Sequence, residues 1–317
     1  MRGLLNVIMY HYVRPIANSR YPNINGLELN NFKEQLDFLK KNHNLMTRDE
    51  FFEFIQGRNI KRKNLFLLTF DDGYIDHFNY VLPELKKRNI FGLFFPTVIG
   101  SNHLRALDVN KIHFILNATT MPSKLINIID DEILKNTELY TLKNINYYKE
   151  KFFQKNRFDT AEVNYIKRIL QKGLPYKFRI DLVDKIFKDF VSIDEKLFCS
   201  TLYMNNDMIK TLISDGMWIG GHSNSHKWLD ELSDEEQAYE LSTSKDFLIN
   251  NGVDKELLTF CYPYGGYNLK TIQLLEEQNY KSAFTCVPES FDLSVIDKNF
   301  FEIPRFDCND LYKINNF

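Results

Sequence analysis

Two carboxylates and two histidines in this sequence have the spacing of a metal site. Asp71 and Asp72 are adjacent within residues 69–74, directly after an apolar run, and two such carboxylates repel unless a cation or distinct roles separate them. His222 and His226 are four residues apart, which on a helical turn places both imidazoles on one face. Two histidines and a carboxylate are donors of a catalytic divalent-metal site. A solvated Asp-Gly turn and a chance H-x-x-x-H pattern are the alternatives for each motif alone.

Two further stretches could contribute chemistry. Residues 261–268 read CYPYGGYN, and Pro263 with the glycines predicts a tight loop that could aim a backbone N–H at a developing oxyanion. An ordinary proline-glycine turn is the alternative interpretation of this stretch. Residues 9–13 read MYHYV, so His11 lies in an otherwise apolar stretch and is either a hydrogen-bonded core residue or a functional one.

The elements that must position these residues follow from apolar patterning. Seven apolar runs predict strands buried on both faces, because the runs are nearly continuous instead of alternating. Amphipathic segments such as 31–43 lie between most of them, which predicts a parallel sheet with helices outside. Thr47 with Glu50 and Ser233 with Glu236 form capping boxes, and Gly252 suits the end of the second helix. The predicted strands are 4–13, 65–70, 91–97, 217–221, 258–262, 282–286 and 301–306.

Residues 104–205 interrupt the strand–helix pattern, because they are polar, helical in periodicity and poor in strands. We expect a helical insertion within one domain spanning 1–317. Residues 105–200 carry 17 Lys and Arg against 13 Asp and Glu, which suits a solvated surface and would also suit a phosphate-bearing substrate.

Composition narrows the class of protein. The 317 residues are 44% hydrophobic and 26% charged with a net charge of −2, which is typical of a globular protein and predicts no nucleic-acid partner. No apolar run approaches the roughly 20 residues of a transmembrane helix. No small-residue cleavage site follows the short N-terminal apolar stretch, and the four cysteines form no C-x-x-C pair. These features predict a cytoplasmic location.

The three motifs, in this order, resemble the polysaccharide deacetylase family, also called the NodB-homology or carbohydrate esterase 4 group. TFDDG resembles its first motif, HSNSH its second and YPYG the core of its third, and the resemblance covers residues 1–100 and 210–310. It implies an α/β fold, a distorted (β/α)7 barrel with a helical insertion. It also implies metal-dependent removal of an acetyl group from an N-acetylated, sometimes O-acetylated, sugar.

The resemblance assigns roles to motif residues. Asp71 is the implied general base, Ser223 supports the second-motif loop, and the backbone N–H of Tyr264 helps to stabilise the oxyanion. Zn²⁺ is the expected metal, with Co²⁺, Ni²⁺, Mn²⁺ and Fe²⁺ as alternatives for such a donor set. The implied metal ligands are Asp72, His222 and His226.

This sequence lacks two residues of the family pattern, and other residues must take over their roles. The family's third motif begins with an arginine that pairs with the base, but Cys261 stands there, so we predict that Arg305 pairs with Asp71; a surface arginine is the alternative. Many members carry a general-acid histidine near the C-terminus, and no histidine follows His226. Some branches take the acid from an N-terminal Y-H-x-V stretch, so His11 is the predicted acid, and an imidazole suits proton transfer near neutral pH.

The expected substrate is an N-acetylated sugar, and a cytoplasmic location favours a nucleotide- or lipid-linked intermediate of surface-polysaccharide assembly. Two alternatives stay open: hydrolysis of a non-sugar amide or cyclic imide, and a carbohydrate-binding protein with a decayed site. His77 follows the first motif, and we predict that it lies on a helix surface. Trp228 is expected to be a packing residue, with contact to a sugar ring as the alternative.

Overall fold

The computed structural model describes residues 3–119, 121–156, 159–294 and 299–314, which form short strands and longer helices. The strands are β1 (Leu4–Tyr10), β2 (Val13–Arg14), β3 (Leu27–Glu28), β4 (Asn44–Leu45), β5 (Leu65–Asp72), β6 (Gly92–Pro96), β7 (Trp218–Ile219), β8 (Thr259–Cys261), β9 (Ser282–Phe284), β10 (Phe291–Asp292) and β11 (Phe306–Asp307). The helices are α1 (Leu29–Asn42), α2 (Arg48–Ile55), α3 (Leu82–Arg88), α4 (Val98–Ser101), α5 (Asp108–Ala118), α6 (Pro122–Tyr140), α7 (Ile145–Phe152), α8 (Ala161–Arg168), α9 (Tyr176–Phe190), α10 (Glu195–Leu202), α11 (Asn206–Ser214), α12 (Asp234–Asn250) and α13 (Leu269–Glu277).

Parallel pairing connects the main strands in a closed order. β1 pairs with β5, β5 with β6 and β6 with β7. A parallel bridge from Gly221 to Phe260 continues the path to β8, which pairs with β9. A second parallel bridge joins Phe284 to Ile303, and β11 then pairs with β1. Because these pairings are parallel, the carboxyl ends of the strands lie on one side.

Each of the seven predicted runs contains paired strand residues, but most strands are shorter than predicted. β1 ends at Tyr10 because the chain leaves the strand at His11 and resumes as β2 beside β3. The last predicted strand is reduced to the bridge at Ile303 and to β11. Pro304 lies between the two, and proline has no N–H to donate to a ladder. Apolar runs mark buried residues, whereas pairing needs partners that a run does not specify.

The predicted helix signals are confirmed. Thr47 begins α2 and Ser233 begins α12, and in each case the cap side chain and the acidic residue three positions later form a reciprocal capping box. α12 ends at Asn250, and Gly252 follows with φ of 96°, a conformation that glycine adopts without strain. Among the described residues, no helix combines the length and apolarity needed to cross a membrane.

Contacts divide the chain into two compact units. The first comprises the described parts of Met1–Pro15, Gly26–Arg105 and Cys199–Phe317, and the second those of Ile16–Asn25 and Ala106–Phe198. The second unit is helical and contains a buried cation, because the fully buried Lys111 ammonium lies 2.6 Å from Asp184 and from Glu195. Most of this unit is the predicted insertion, but Ile16–Asn25 joins it from earlier in the chain.

Candidate active site

Asp71 and Asp72 are the last two residues of β5, whereas His222 and His226 follow β7 and Tyr264 follows β8. His11 follows β1 and Arg305 precedes β11, and all of these residues belong to the first unit. Several of these residues have a left-handed backbone, which is uncommon outside glycine and clusters at functional sites. Gly73 continues the first loop with φ of 72°, and a Cβ there would come within 2.8 Å of the Pro96 backbone. The left-handed site residues are Asp72 (φ 71°), Ser223 (φ 62°), His226 (φ 57°) and Tyr264 (φ 56°).

Three donor atoms converge as a divalent metal would require. Asp72 Oδ1 lies 3.4 Å from His222 Nε2 and 3.3 Å from His226 Nε2, and all three residues are buried. Among the described residues, Asp72 Oδ1 has no hydrogen-bond partner, although a buried carboxylate oxygen is normally satisfied. A buried oxygen without a hydrogen bond, facing two imidazole nitrogens, fits a bound cation, so this donor set suits the predicted metal.

Neighbouring groups orient the three donors. His222 Nδ1 lies 2.8 Å from the backbone carbonyl of Cys261, and a carbonyl only accepts, so Nδ1 carries the proton and Nε2 keeps its lone pair. The Tyr74 hydroxyl donates to Asp72 Oδ2, which leaves Oδ1 for a metal. Burial opposes ionisation of Asp72, but the imidazoles of His226 and His222 outweigh it and hold the pKa of Asp72 well below its usual range.

The second motif is a loop, not the helical turn that the four-residue spacing suggested. Residues 222–226 contain no helix, and the left-handed conformations of Ser223 and His226 are incompatible with one. The backbone N–H of His226 donates to Ser223 Oγ at 2.9 Å, so Ser223 closes the loop on itself. Both imidazoles face Asp72 because of this folded loop and not because of helical periodicity.

A buried carboxylate that the sequence motifs did not reveal also holds this loop. Glu240, on α12, accepts the backbone N–H of Ser225 at 2.7 Å and also the Ser225 hydroxyl. The Glu240 side chain is buried. It is 15 residues from Ser225, and no motif or spacing pointed to it.

Glu240→Ala is expected to weaken Zn²⁺ binding by roughly 10- to 100-fold, the usual effect of losing an outer-shell partner at a metal site. The reason is that Ser225 loses its acceptor and the loop carrying both histidines loses its anchor. Competition with a chromophoric chelator measures the affinity. Asp246→Ala, an exposed residue on the same helix, is the matched control and should leave affinity unchanged. Equal affinities for both variants would contradict an anchoring role for Glu240.

Arg305 lies beside Asp71 and forms a fully buried ion pair with it. Arg305 Nη1 and Nη2 donate to the two carboxylate oxygens of Asp71, each at 2.8 Å, and Nε donates to the Thr285 carbonyl at 2.9 Å. Burial alone would raise the pKa of Asp71, but the Arg305 guanidinium outweighs it and lowers that pKa to about 2. Asp71 is therefore ionised at neutral pH.

Cys261 leaves room for this arrangement. Its Sγ lies 2.9 Å from Arg305 Nη2 and 3.6 Å from Asp71 Oδ2. Burial raises the pKa of the Cys261 thiol well above its ordinary value, and Asp71 adds to that shift although Arg305 opposes it. The thiol is therefore neutral and small. The guanidinium of Arg305, which is 44 residues further along the chain, fits beside it.

His11 faces the same carboxylate from the end of β1. Its Nε2 lies 3.9 Å from Asp71 Oδ2, and its side chain is 42% exposed. A partly exposed imidazole beside a buried site is accessible to a substrate. The third-motif loop closes the other side, where the Tyr264 ring lies 4.5 Å from the His226 ring and stacks on Trp228 at 4.5 Å. Trp228 is therefore in contact with the site loop.

The predicted surface location of His77 is wrong. His77 is fully buried in a π-helical turn (His77–Val81), and its Nε2 lies 2.9 Å from the backbone carbonyl of His11. The sequence shows a helix after Gly73, but the ring points inward toward Phe70, Tyr74 and Phe94. Which face of that helix is buried depends on the neighbouring strands.

The stability of the protein is expected to fall between about pH 6.5 and pH 4 because of His77. Burial lowers the pKa of His77 from 6.5 to about 4, although the hydrogen bond to the His11 backbone and the carboxylates of Asp72 and Asp71 offset part of that effect. In this range the unfolded chain binds a proton that the native protein does not, so the free energy of unfolding declines as pH falls, by on the order of 3 kcal/mol at most. Urea unfolding at several pH values measures this. His77→Gln should flatten the profile, and an unchanged profile would contradict the assignment.

The comparisons with known proteins concern both sequence and fold. Residues 191–283 match the sequence model described as polysaccharide deacetylase, a segment that contains the second and third motifs. No curated protein sequence matches the chain.

Solved structures match nearly the whole chain. The Streptococcus pyogenes deacetylase PplD, solved in complex with acetate, is 17% identical over 97% of this chain and 93% of its own, with a TM-score of 0.58. IcaB from Ammonifex degensii is 18% identical over 99% and 96%, with a TM-score of 0.55. The BpsB deacetylase domain from Bordetella bronchiseptica is 15% identical over 96% and 95%, with a TM-score of 0.53. The predicted α/β fold and the predicted family resemblance are confirmed.

Proposed function

Because residues 191–283 match the polysaccharide deacetylase family, we propose that this chain is a metal-dependent deacetylase that removes the acetyl group from the nitrogen of an N-acetylated sugar. The observation that carries the proposal is the convergence of Asp72, His222 and His226 beside the buried Asp71–Arg305 pair. The three converging side chains suit a metal, and the ion pair supplies the ionised carboxylate of Asp71 next to it.

Asp72, His222 and His226 would hold the metal. Bound there, a divalent ion supplies Lewis-acid polarisation of the amide carbonyl and acidifies water. We propose Zn²⁺, because two imidazoles and one carboxylate are typical zinc donors, although Co²⁺, Ni²⁺, Mn²⁺ and Fe²⁺ accept the same set.

Asp71 is the proposed general base. Its carboxylate, the His222 imidazole and the Cys261 thiol offer donor atoms that all lie within 4.8 Å of one another, so the base lies next to the metal ligands. Arg305 keeps the carboxylate ionised and fixes both of its oxygens. Asp71 takes one proton from the attacking water as the carbon–oxygen bond forms.

His11 is the proposed general acid. Cleavage of the carbon–nitrogen bond leaves an amine, which must gain a proton to depart. The protonated His11 imidazole gives that proton to the sugar nitrogen, and its side chain is exposed enough to reach a bound substrate. The products are acetate and the free amino sugar. The proton that Asp71 took from water then passes to His11, whose Nε2 lies 3.9 Å from Asp71 Oδ2, so that both groups return to their starting states.

Tyr264 is the proposed source of an oxyanion donor through its backbone N–H. The left-handed conformation at Tyr264 turns the peptide sharply after Pro263, and the ring packs between His226 and Trp228. A preorganised backbone N–H at such a turn stabilises the negative charge of a tetrahedral intermediate.

The cytoplasmic location that the sequence predicts narrows the proposed substrate class. A cytoplasmic enzyme would act on a nucleotide- or lipid-linked sugar of surface-polysaccharide assembly, and the alternative amide or cyclic-imide substrates would use the same residues. We favour the sugar because the family model and similar solved structures are described as polysaccharide deacetylases or deacetylases. The decayed-site alternative is less favoured, because the buried donors still converge.

Acetate release tests the proposal directly. The protein is incubated with N-acetylated nucleotide sugars, lipid-linked sugars and N-acetylated oligosaccharides, with and without chelator, and acetate is measured by a coupled enzyme assay. We expect chelator-sensitive release from at least one of them, restored by Zn²⁺. Metal binding without release from any sugar would move the function to a non-sugar amide, and absence of both would favour the binding protein.

A further inference from the structure

The two histidines nearest the first motif are linked through the backbone. His11 lies between the end of β1 at Tyr10 and the start of β2 at Val13, so no strand ladder covers it. Its carbonyl oxygen lies 2.9 Å from His77 Nε2. This bond spans 66 residues and joins the loop carrying His11 to the turn that follows the first motif.

The chemistry of this contact defines the His77 tautomer. A carbonyl oxygen only accepts, so His77 Nε2 must carry the hydrogen. Burial lowers the pKa of His77 to about 4, so the ring is neutral at neutral pH and its Nδ1 carries no proton. Among the described residues, Nδ1 has no hydrogen-bond partner. Within the described residues, the His77 ring therefore makes one polar contact, which is the hydrogen bond to the His11 carbonyl.

The ring of His77 has little freedom to move. Its centroid lies 5.6 Å from those of Phe70 and Tyr74 and 5.8 Å from that of Phe94. Phe70 belongs to β5 and Phe94 to β6, so the strands that lead toward the site also fix this donor. A rigid donor defines the orientation of the peptide that it contacts.

The His11 side chain needs such a restraint. It is 42% exposed, and its Nε2 is 3.9 Å from Asp71 Oδ2, which is too long for a hydrogen bond. The orientation of an imidazole depends on the backbone of its residue. His11 lies beyond the end of β1, so strand pairing does not hold its backbone. The His77 bond is a tertiary contact that restrains the peptide after His11.

We propose that His77 is a positioning residue that directs the His11 imidazole toward the reacting amide by donating to the His11 carbonyl. This inference rests on the proposed function of His11 as the general acid. Loss of the bond should therefore impair proton donation to the leaving group and leave the metal ligands in place.

The test compares two leaving groups. A sugar amine needs a proton to depart, whereas the phenolate of an activated aryl acetate does not. We expect His77→Phe, which keeps the aromatic packing and removes the donor, to lower turnover of the N-acetyl sugar by about 10-fold or more. The loss on the aryl acetate should be much smaller. His77→Gln, which retains an N–H donor, should recover much of the sugar activity, and His77→Phe should add little to His11→Ala.

His43→Phe is the matched control. His43 is a partly buried histidine that packs on Phe66 at 4.4 Å, and it belongs to none of the motifs. It should retain both activities. Equal losses of His77→Phe on both substrates would indicate a general structural role and overturn the inference, as would additive losses with His11→Ala.

A second measurement is independent of activity. The ring ¹H–¹³C resonance of His11 is identified in the full-length protein by its loss in His11→Ala. In His77→Phe it should move toward the position of an unstructured histidine, while it stays in place in His77→Gln and His43→Phe. An unmoved resonance would overturn the positioning role. A moved resonance in a protein that releases no acetate would uphold the contact and reject the proposed function.

Discussion

Asp72→Ala is expected to weaken Zn²⁺ binding by more than about 100-fold and to lower acetate release at least as strongly. Loss of an outer-shell partner typically weakens a metal site about 10- to 100-fold, and loss of a ligand should weaken it more. Asp72 supplies the negative charge of its donor set, and the remaining His222 and His226 imidazoles are neutral ligands. A dication between two buried neutral rings would lack charge compensation.

Metal affinity is measured by competition with a chromophoric chelator, after stripping and reloading. Asp246→Ala, an exposed aspartate on α12, is the control and should behave as the unmodified protein. Thermal unfolding without metal checks that the fold survives. Normal metal affinity in Asp72→Ala would show that the metal is bound elsewhere and would overturn the ligand assignment.

Asp71→Asn is expected to lower turnover by roughly 10²- to 10⁴-fold, the range that a general base contributes. Asparagine has nearly the same shape, but its amide does not accept a proton from water. The affinity for Zn²⁺ should change little, because Asp71 lies beside the proposed ligands without being one of them. A loss of activity with retained metal distinguishes Asp71 from Asp72.

The same substitution is expected to destabilise the protein by a few kcal/mol. Removing one partner of a buried ion pair leaves the other charge uncompensated, which typically costs about 3–5 kcal/mol. Arg305 would keep its guanidinium in a fully buried position without its carboxylate. Urea unfolding measures the change in the free energy of unfolding.

The double variant Asp71→Asn with Arg305→Met separates stability from chemistry. Replacing both charges should recover most of the lost stability, because a paired removal leaves no buried charge. Activity should not return, because the base is still absent. Recovery of activity together with stability would indicate that Asp71 serves the fold and not the reaction.

Local patterns were sufficient to predict much of the fold. Each predicted apolar run contains strand residues, and both capping boxes form where Thr47 and Ser233 precede their acidic partners. Such signals depend on neighbours in the sequence, so they are readable without tertiary structure. Strand length was not readable, because pairing depends on distant partners: β1 stops before His11, and Pro304 interrupts the last run.

Long-range contacts decided the arrangement of the site. The motifs predicted that Asp72, His222 and His226 are close, but the folded loop that aims the histidines depends on Ser223 and Glu240. Glu240 lacks a sequence signature because its partner Ser225 is 15 residues away and no motif spacing links the two. His77 was misplaced because a short helix alone does not reveal which side faces the strands.

The sequence by itself determined the chemistry available to this protein: two aspartates at the end of one strand, two histidines after another and a glycine-rich third loop. Only the tertiary structure decided how charge is balanced around them. Arg305 reaches Asp71 from the end of the chain and occupies the space beside Cys261, and His77 reaches the His11 carbonyl across 66 residues. Residue types and short spacings define which groups can react, whereas burial and pairing between distant segments define their ionisation and direction.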